Sequence, residues 1–344
     1  MQLQRYYKIL ILLIIIQTIL FSCKKHGKYY VNVKDIDVEV NIKRFDEEVY
    51  KLKKDNFNNE FTELHKKYPD VFEVFIERIA RAGSVNDSLY FQRMENFIFD
   101  KYSQELYQDV HKMYDDISWL EDDVTEAFKH IKYYFPKDTL PEVYSLVSNF
   151  GFGTGTFENM MFISLDLFLG SDYKYYPSLF PNYRIKYLNK NYIVSEFLKA
   201  YFTNKFPEEQ QRADNLLSTM IYAGKKMFFL DLMLTDVADS IKIRYSKEEI
   251  KWCKKNEGEL WKQLVENDVL YETNSRKIMK YIDDGPFTNA YGIPQDSPAR
   301  LGQWIGWQIV KNYVKNNDES SLIKIFYESD SQKILSLSKY KPKF

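Results

Sequence analysis

Cysteine is scarce in this protein of 344 residues, which contains only Cys23 and Cys253. Cys23 is a candidate for covalent modification, as argued below, which would leave Cys253 without a partner and exclude an internal disulfide. Cys253 lies in a helical pattern, where we expect a small buried hydrophobic side chain. The fold must therefore be stabilised by its hydrophobic core, for which the sequence is long enough.

Histidine is also scarce, and the motifs of several enzyme classes are missing. The four histidines are His26, His65, His111 and His130. No two of them are three or four residues apart, so no single helical turn offers two imidazoles to zinc. Gly151 and Gly153 lack the third glycine of a dinucleotide-binding fingerprint, and the sequence has neither a phosphate-binding loop nor a Gly-x-Ser-x-Gly elbow. We therefore predict no metal and no cofactor. The sequence does not exclude a Ser-His-Asp catalytic site.

Charge of one sign does not dominate either. The protein has 48 basic and 49 acidic residues, and two of the basic ones lie in the first 22 residues. Proteins that bind nucleic acid usually have an excess of basic residues, which is absent here, so we expect no nucleic-acid partner. No repeat of 20–50 residues is visible, which excludes a solenoid.

The N-terminus has the proportions of a secretory signal. Met1–Lys8 carries two basic residues and no acid, and residues 9–21 are apolar except for Gln17 and Thr18. This apolar run is shorter than the roughly 20 residues that a spanning helix needs. Leu20-Phe21-Ser22-Cys23 resembles the lipobox of bacterial lipoproteins, in which the cysteine is acylated and the peptide is cut just before it. We predict a signal peptide at 1–22 and lipidation of Cys23. The alternative is an uncleaved anchor, and both place the body of the protein outside the cytoplasm.

The rest of the sequence predicts an α+β fold that is predominantly helical. Residues 23–34 read as a polar tether, and residues 35–344 as one domain with helical patterns over 41–135 and 192–344. Asp35–Val40 alternates in polarity, which suggests an edge strand. Val143–Phe150 and Met161–Leu169 are rich in β-branched and aromatic residues. A glycine-rich link, predicted to be a hairpin turn, joins them, so we expect a small central sheet at about 143–169.

One helical segment occupies a position of chemical interest. Tyr192–Lys199 follows a strand and a loop, where a zinc peptidase would place His-Glu-x-x-His. Here Ser195 and Lys199 stand at the histidine positions, and Glu196 stands at that of the general base. A hydroxyl is a poor zinc ligand and an ammonium repels the ion. The segment taken alone is equally well explained as an ordinary amphipathic helix.

A second unusual segment lies near the C-terminus. Ser297 and Pro298 are suited to cap and begin a helix. Gly302 and Gly306, four residues apart, lie on one helical face and would let another backbone approach closely.

Trp304 and Trp307 flank that glycine face. We favour a buried central helix, with Gly306 and Trp307 internal. The alternative is a binding groove lined by both tryptophans, and Trp304 is left open as a partner-binding residue.

These features carry a resemblance to the gliding motility lipoprotein GldB family of the Bacteroidota. The matching segments are the lipobox at Cys23, Arg44-Phe45-Asp46, Met220–Lys226 running into Phe229-Leu230-Asp231, Trp252-Cys253 with Asn256-Glu257 and Trp261, Ser297–Val310, and Ser338–Pro342. The resemblance implies a role in the envelope machinery for gliding and the associated protein secretion. The family is also distantly similar to zinc peptidases of the gluzincin kind.

In those peptidases a ligand glutamate precedes a glycine on a following helix, where this sequence has Ala223 before Gly224. The degenerate site therefore consists of Ser195, Glu196, Lys199 and Ala223, and lacks both histidines and the third ligand. The resemblance thus implies a zincin-like scaffold that has lost the metal and is used for binding.

Two hypotheses of function follow. The first is a non-catalytic envelope lipoprotein of the gliding and secretion machinery, held to the membrane by lipid and associated with protein partners. The second is an envelope hydrolase with an unfamiliar site near Glu196. That would need convergent ionisable groups in one cleft, and the sequence suggests no partner for Glu196 at helical spacing.

Surface lipoproteins of the Bacteroidota usually carry acids soon after the lipidated cysteine. The basic run Lys24–Lys28 therefore favours a position facing the periplasm, and we expect the membrane to be the outer one.

Overall fold

The computed structural model describes residues 27–211, 214–318 and 321–343. The predicted signal peptide and Cys23 lie outside the described residues. The described part of the predicted tether packs on the body of the protein. Val33 is buried, and the Tyr29 ring meets the edge of Phe228 at 5.1 Å between centroids. The polar tether of the prediction therefore does not extend to residue 34.

The first third of the protein after the tether is helical, as predicted. Its elements are β1 (Lys43–Arg44), α1 (Phe45–Tyr50), α2 (Phe57–Lys67), α3 (Pro69–Val74), α4 (Tyr90–Phe99), α5 (Lys101–Met113) and α6 (Ser118–Tyr134). Pro69 begins α3, where its missing N–H costs no hydrogen bond. The Asp100 carboxylate caps α5 by accepting from the N–H groups of Tyr102 and Ser103.

A four-stranded mixed sheet lies in the middle of the sequence, with the order β1-β2-β4-β3. Its later strands are β2 (Glu142–Leu146), β3 (Thr154–Phe157) and β4 (Met160–Ser164). β2 pairs in parallel with both β1 and β4, whereas β3 pairs antiparallel with β4. β4 is buried along its whole length, and β3 is the partly exposed edge strand. The predicted α+β class with a small central sheet is confirmed.

Two details of the predicted sheet are wrong. Asp35–Val40 forms no strand, and pairing begins only at Lys43. The glycine-rich segment 151–155 is not a hairpin turn, because its last two residues belong to β3. The tight turn lies at Glu158, which has a φ of +50°, and Asn159. Because β3 intervenes, the two predicted strands become parallel neighbours.

The part that follows the sheet is again mainly helical. Its helices are α7 (Tyr176–Leu179), α8 (Asn182–Ile185), α9 (Ile193–Lys205), α10 (Leu216–Met233), α11 (Asp239–Ile243), α12 (Lys247–Glu266), α13 (Ser275–Ile282), α14 (Leu301–Asn316), α15 (Ser321–Tyr327) and α16 (Ser331–Ser338). Ser246 and Glu249 form a capping box at the start of α12. Cys253, on α12, is a free buried thiol, as predicted.

The centre of this half is the crossing of α10 and α14. Every residue of α10 except Lys226 is buried, which agrees with its mainly apolar composition. Gly224 and Gly306 lie at the crossing, since a Cβ on Gly224 would stand 2.2 Å from the carbonyl carbon of Gly306. The predicted close approach at the glycine face of α14 is therefore confirmed.

The predicted start of α14 is wrong. The helix begins at Leu301, after Arg300 in the left-handed region at a φ of +59°. The Pro298 carbonyl is already used, because it accepts from the N–H and the hydroxyl of Thr288. Arg300 is tied by its side chain to the carbonyls of Ile243 and Arg244. These contacts hold residues 297–300 in a loop, so that Ser297 does not cap the helix.

Among the helices of the described ranges, none combines the length and the apolar content that a membrane span requires.

Candidate functional site

A cleft of about 830 Å³ opens between the edge strand β3 and the helices α9 and α10. Thr154, Gly155 and Thr156 form one wall, and Glu196 and Lys199 of α9 line the cleft from below. Ala223 and Lys226 contribute from α10, which passes beside α9. Arg244, at the end of α11, and Gln303 of α14 complete this part of the lining.

The structure brings together three of the four predicted positions of the degenerate site. Glu196, Lys199 and Ala223 line the cleft. Ser195 does not, because it lies on another side of α9, where its hydroxyl donates to the Tyr192 carbonyl at 3.0 Å. Ser195 instead lines a second cavity of about 450 Å³.

Glu196 is the centre of an ion-pair network. Lys199 Nζ lies 2.7 Å from Glu196 Oε1, three residues along the same helix. Arg244 Nε lies 3.6 Å from the same carboxylate oxygen. The sequence-based statement that Glu196 lacks a partner at helical spacing is therefore wrong. A helix surface places residues i and i+3 side by side, and Lys199 uses that spacing.

Asp284 extends this network away from α9. Both of its oxygens accept from Arg244 Nη2 at 2.9 Å, and it also pairs closely with Arg300. The Arg300 side chain is only 5% exposed and sits over the rings of Tyr187 and Tyr245. Arg300 thus fixes the carboxylate that in turn orients Arg244 towards Glu196.

The network shifts the pKa values of its members. Burial alone would raise the pKa of Glu196, but Arg244 and Lys199 outweigh burial and lower it to about 2. Burial lowers the pKa of Lys199 to about 8; Glu196 opposes this shift, whereas Arg244 adds to it. Glu196 is therefore a carboxylate at neutral pH, which makes it a poor proton donor.

Lys226 differs from the other cations of the cleft. It makes no hydrogen bond or ion pair with any residue that the structure describes. Its Nζ stands 5.1 Å from the centre of the Tyr222 ring. Burial lowers its pKa, with Glu208 and Glu196 opposing the shift from a distance. A partly desolvated ammonium without an ion pair is costly to maintain.

The free edge of β3 presents backbone groups to the same cleft. Gly153 accepts from the Ser164 N–H at 2.8 Å, and the register pairs Thr154 with Ile163 and Thr156 with Met161. Hydrogen-bonded and non-hydrogen-bonded pairs alternate in an antiparallel ladder. Thr154 and Thr156 therefore direct their N–H and C=O groups away from β4, towards the open side of the strand.

Within the described ranges, no group of three histidine, cysteine or acidic side chains is placed to hold a metal ion. His130 lies in the second cavity, where it is 2% exposed and its Nδ1 lacks a hydrogen-bond partner among the described atoms. Its Nε2 faces Glu126 at 3.6 Å. Among the described atoms His130 therefore has no serine hydroxyl bonded to it, as a Ser-His-Asp site would require.

The interpretation of Trp304 and Trp307 as partner-binding residues needs correction. Their exposures are 1% and 0%, so neither indole is available to a partner. Trp307 donates to Asp231 at 2.7 Å, and Trp304 donates to Glu257 at 3.1 Å. Both tryptophans belong to the core beside the α10–α14 crossing. The sequence predicts this internal position for Trp307.

Sequence reasoning missed Lys226 in the cleft and three residues of the ion-pair network, namely Arg244, Asp284 and Arg300. Lys226 is one of three charged residues, with Lys225 and Asp231, on the mainly apolar helix α10, and nothing local distinguishes it from Lys225. Arg244 and Asp284 lie in segments between the main helices and are 40 residues apart. No local spacing connects them, so only the tertiary structure reveals the pair.

One of the comparisons with known proteins agrees with the resemblance to the GldB family seen in the sequence. The protein matches no curated protein and no solved structure. It does match the family model described as gliding motility protein GldB over residues 26–342. That range includes every element of the fold and every residue of the cleft. The protein therefore belongs to the gliding motility protein GldB family.

Proposed function

We propose that this protein is a non-catalytic envelope lipoprotein of the machinery for gliding motility and associated protein secretion. Lipid on Cys23 holds it to the outer membrane, facing the periplasm. Its cleft binds a segment of a protein partner on a zincin-like scaffold that has lost its metal.

The ion pairs and the lowered pKa of Glu196 are the observation that supports a non-catalytic role. A peptidase base must be free to accept a proton from water and return it. Glu196 is instead paired with Lys199 and Arg244, and its pKa is lowered to about 2. Lys199 also places a cation where the resemblance would have a zinc ligand.

The positions of α9 and α10 support the zincin-like scaffold. By the resemblance, α9 stands for the helix with His-Glu-x-x-His, and α10 for the helix with the third ligand. Glu196 and Ala223 line one cleft from these two helices. The edge strand β3 borders the same cleft and offers unpaired backbone groups to an extended segment.

The alternative is an envelope hydrolase, which one observation favours. The convergent ionisable groups that such a site needs are present, because Glu196, Lys199, Arg244 and Asp284 meet in one network. Both functions are therefore compared in the same experiment.

That experiment is Glu196→Gln in cells, with motility and the amount of protein measured together. We expect motility to be retained, because the carboxylate takes part in no reaction. Loss of motility at a normal protein level would favour the hydrolase.

Elemental analysis of the purified protein should find no stoichiometric zinc. About one zinc per molecule retained through dialysis would contradict the proposal.

The anchor is tested by Cys23→Ala. Lipid supplies the stable membrane hold, so the variant should accumulate as an unprocessed precursor or a soluble form. Normal processing with normal membrane retention would show that Cys23 is not acylated. Digestion of the protein by protease added to intact cells would contradict the periplasm-facing position.

A further inference from the structure

Three cations line the cleft, namely Lys199, Lys226 and Arg244, and they stand beside Glu196, whereas Glu208 and Glu209 line its mouth. Arg300 and Asp284 lie behind the lining. Asp284 is held by both arginines, and Glu196 is held by Lys199 and Arg244. The ammonium group of Lys226 remains without an ion pair among the described residues.

Several donors near Glu196 are unfilled. Arg244 Nε is buried and lies 3.6 Å from Glu196 Oε1, so it has an ion pair but no hydrogen bond among the described atoms. Lys199 has three N–H donors, of which one is directed to Glu196 at 2.7 Å. An unsatisfied buried donor is costly unless a ligand supplies the acceptor. The free N–H donors of Lys199 and Lys226 can therefore receive an anion in the cleft.

We propose that the cleft binds one carboxylate of an extended polypeptide, with Lys226 as the principal receiving group and Lys199 beside it, while the polypeptide backbone pairs with Thr154 and Thr156. This inference rests on the proposed binding function and specifies the ligand. The carboxylate belongs to the C-terminus of the polypeptide or to one of its acidic side groups, since both present the same two oxygens.

The charge balance favours a single carboxylate over a more highly charged anion. Glu208 and Glu209 lie at the mouth of the cleft and are exposed. They would repel a dianion more strongly than a monoanion. One negative charge is enough to pair Lys226 without displacing Glu196 or Asp284 from their arginines.

The wall formed by β3 favours a polypeptide over a small acid. Thr154 and Thr156 are two residues apart on one edge, which is the repeat at which a paired strand exchanges hydrogen bonds. Strand addition supplies affinity through the backbone, and side-chain sites beside it supply selectivity. The ammonium of Lys226 would be such a site.

The test measures binding of short peptides to the full-length protein in detergent by calorimetry. The probes are acetylated hexapeptides of alternating valine and threonine. One ends in a free carboxylate, one ends in a carboxamide, and one ends in a carboxamide but carries a central glutamate. We expect at least one of the two carboxylate peptides to bind at least about tenfold more tightly than the neutral peptide. The better of the two identifies the source of the carboxylate.

Two variants separate the parts of the site. Lys226→Gln should remove most of the preference for the carboxylate, whereas Lys254→Gln, on the exposed side of α12 and outside the cleft, should leave it unchanged. Thr156→Pro removes an outward N–H without breaking a ladder hydrogen bond, and should weaken all three peptides. Thermal melting of each variant shows that it is folded.

Some outcomes overturn the inference. Equal binding of all three peptides, or no binding at millimolar concentration, would exclude a carboxylate site. Equal effects of Lys226→Gln and Lys254→Gln would exclude Lys226. Acetate binding as tightly as the peptides would exclude strand pairing. None of these outcomes affects the motility test of Glu196→Gln. Failure of this inference can therefore be distinguished from failure of the proposed function.

Discussion

Gly306 on α14 lies directly against Met220 on α10, with no room for a Cβ atom between the two backbones. A Cβ on Gly306 would stand 1.7 Å from the Met220 carbonyl oxygen. Gly224, one helical turn further along the same face of α10, also meets the backbone of Gly306. Neither helix can move away easily, because the tryptophans of α14 pack beside the contact and are buried. The helix pair is therefore held at backbone distance by glycine at both positions.

Gly306→Ala should consequently destabilise the protein, and Gly306→Leu should do so more strongly. Overpacking a tight core usually costs about 1–3 kcal/mol, and the backbone contact leaves little room for relaxation. Denaturant unfolding of the purified variants would measure the loss. Gly153→Ala is a matched control, because its Cβ would meet Leu167 at an ordinary 3.5 Å. A Gly306→Leu variant as stable as the wild type would contradict the helix crossing.

The glycine face could be predicted from the sequence because it depends on the helical repeat alone. Gly302 and Gly306 share a face wherever the helix begins, so the error at Ser297 and Pro298 did not affect it. The sheet was less predictable, since Val143–Phe150 and Met161–Leu169 look alike whether they pair in parallel or antiparallel. The strand β3 is only four residues long and contains a glycine, which gives a weak strand signal.

The site was predictable only where the resemblance supplied positions. Glu196, Lys199 and Ala223 were found because a known motif could be placed on the sequence. Arg244 and Asp284 come from distant segments, and their meeting depends on how α11 and α13 pack. The exposure of Trp304 could not be predicted either, because both faces of its helix carry apolar residues.

Trp307→Phe should destabilise the protein more than Trp304→Phe. Trp307 donates to Asp231, which is 7% exposed and is otherwise held by Lys242 at 2.9 Å. Losing that donor leaves a buried carboxylate oxygen unsatisfied, at a cost of about 1–3 kcal/mol. Glu257, the acceptor for Trp304, is only partly buried, so its freed oxygen can be hydrated more easily than that of Asp231. Urea unfolding of both variants would check the order, and the reverse order would contradict the assigned contacts.

His130 should make the stability of the protein depend on pH below neutrality. Burial lowers the pKa of His130, although Glu126 and Asp236 oppose the shift. Below the ordinary value of about 6.5 the unfolded state therefore binds a proton that the folded state does not. The free energy of unfolding must then fall as the pH falls through this range.

His130→Gln should remove part of this acid sensitivity. The melting temperatures of the wild type and the variant, compared at pH 7 and pH 5, would show a smaller decrease in the variant. His65→Gln provides a matched control, because the His65 ring stacks on Phe72 at the surface of α2. Equal decreases in the wild type and His130→Gln would show that His130 is not the group responsible.

The unpaired ammonium of Lys226 should have an effect of the same sign at alkaline pH, where the free energy of unfolding rises with pH. Burial lowers the pKa of Lys226 from 10.5, so the charged form is less favourable in the folded protein than in the unfolded state. At pH 7 the group is charged in both states and the folded protein bears the full cost. Above the folded pKa the folded protein releases the proton first, so this cost is relieved as the pH approaches 10.5.

Lys226→Met should therefore stabilise the protein at pH 7, and its advantage over the wild type should shrink at pH 10. Methionine keeps most of the apolar stem that packs beside Tyr222 and removes the charge. Denaturant unfolding at both pH values would measure the two differences. Binding sites often hold such costly groups in place for a ligand, at the expense of stability. A variant that gains stability and also loses the peptide carboxylate preference would connect the strained ammonium to recognition, whereas a variant less stable than the wild type at pH 7 would show that Lys226 stabilises the fold.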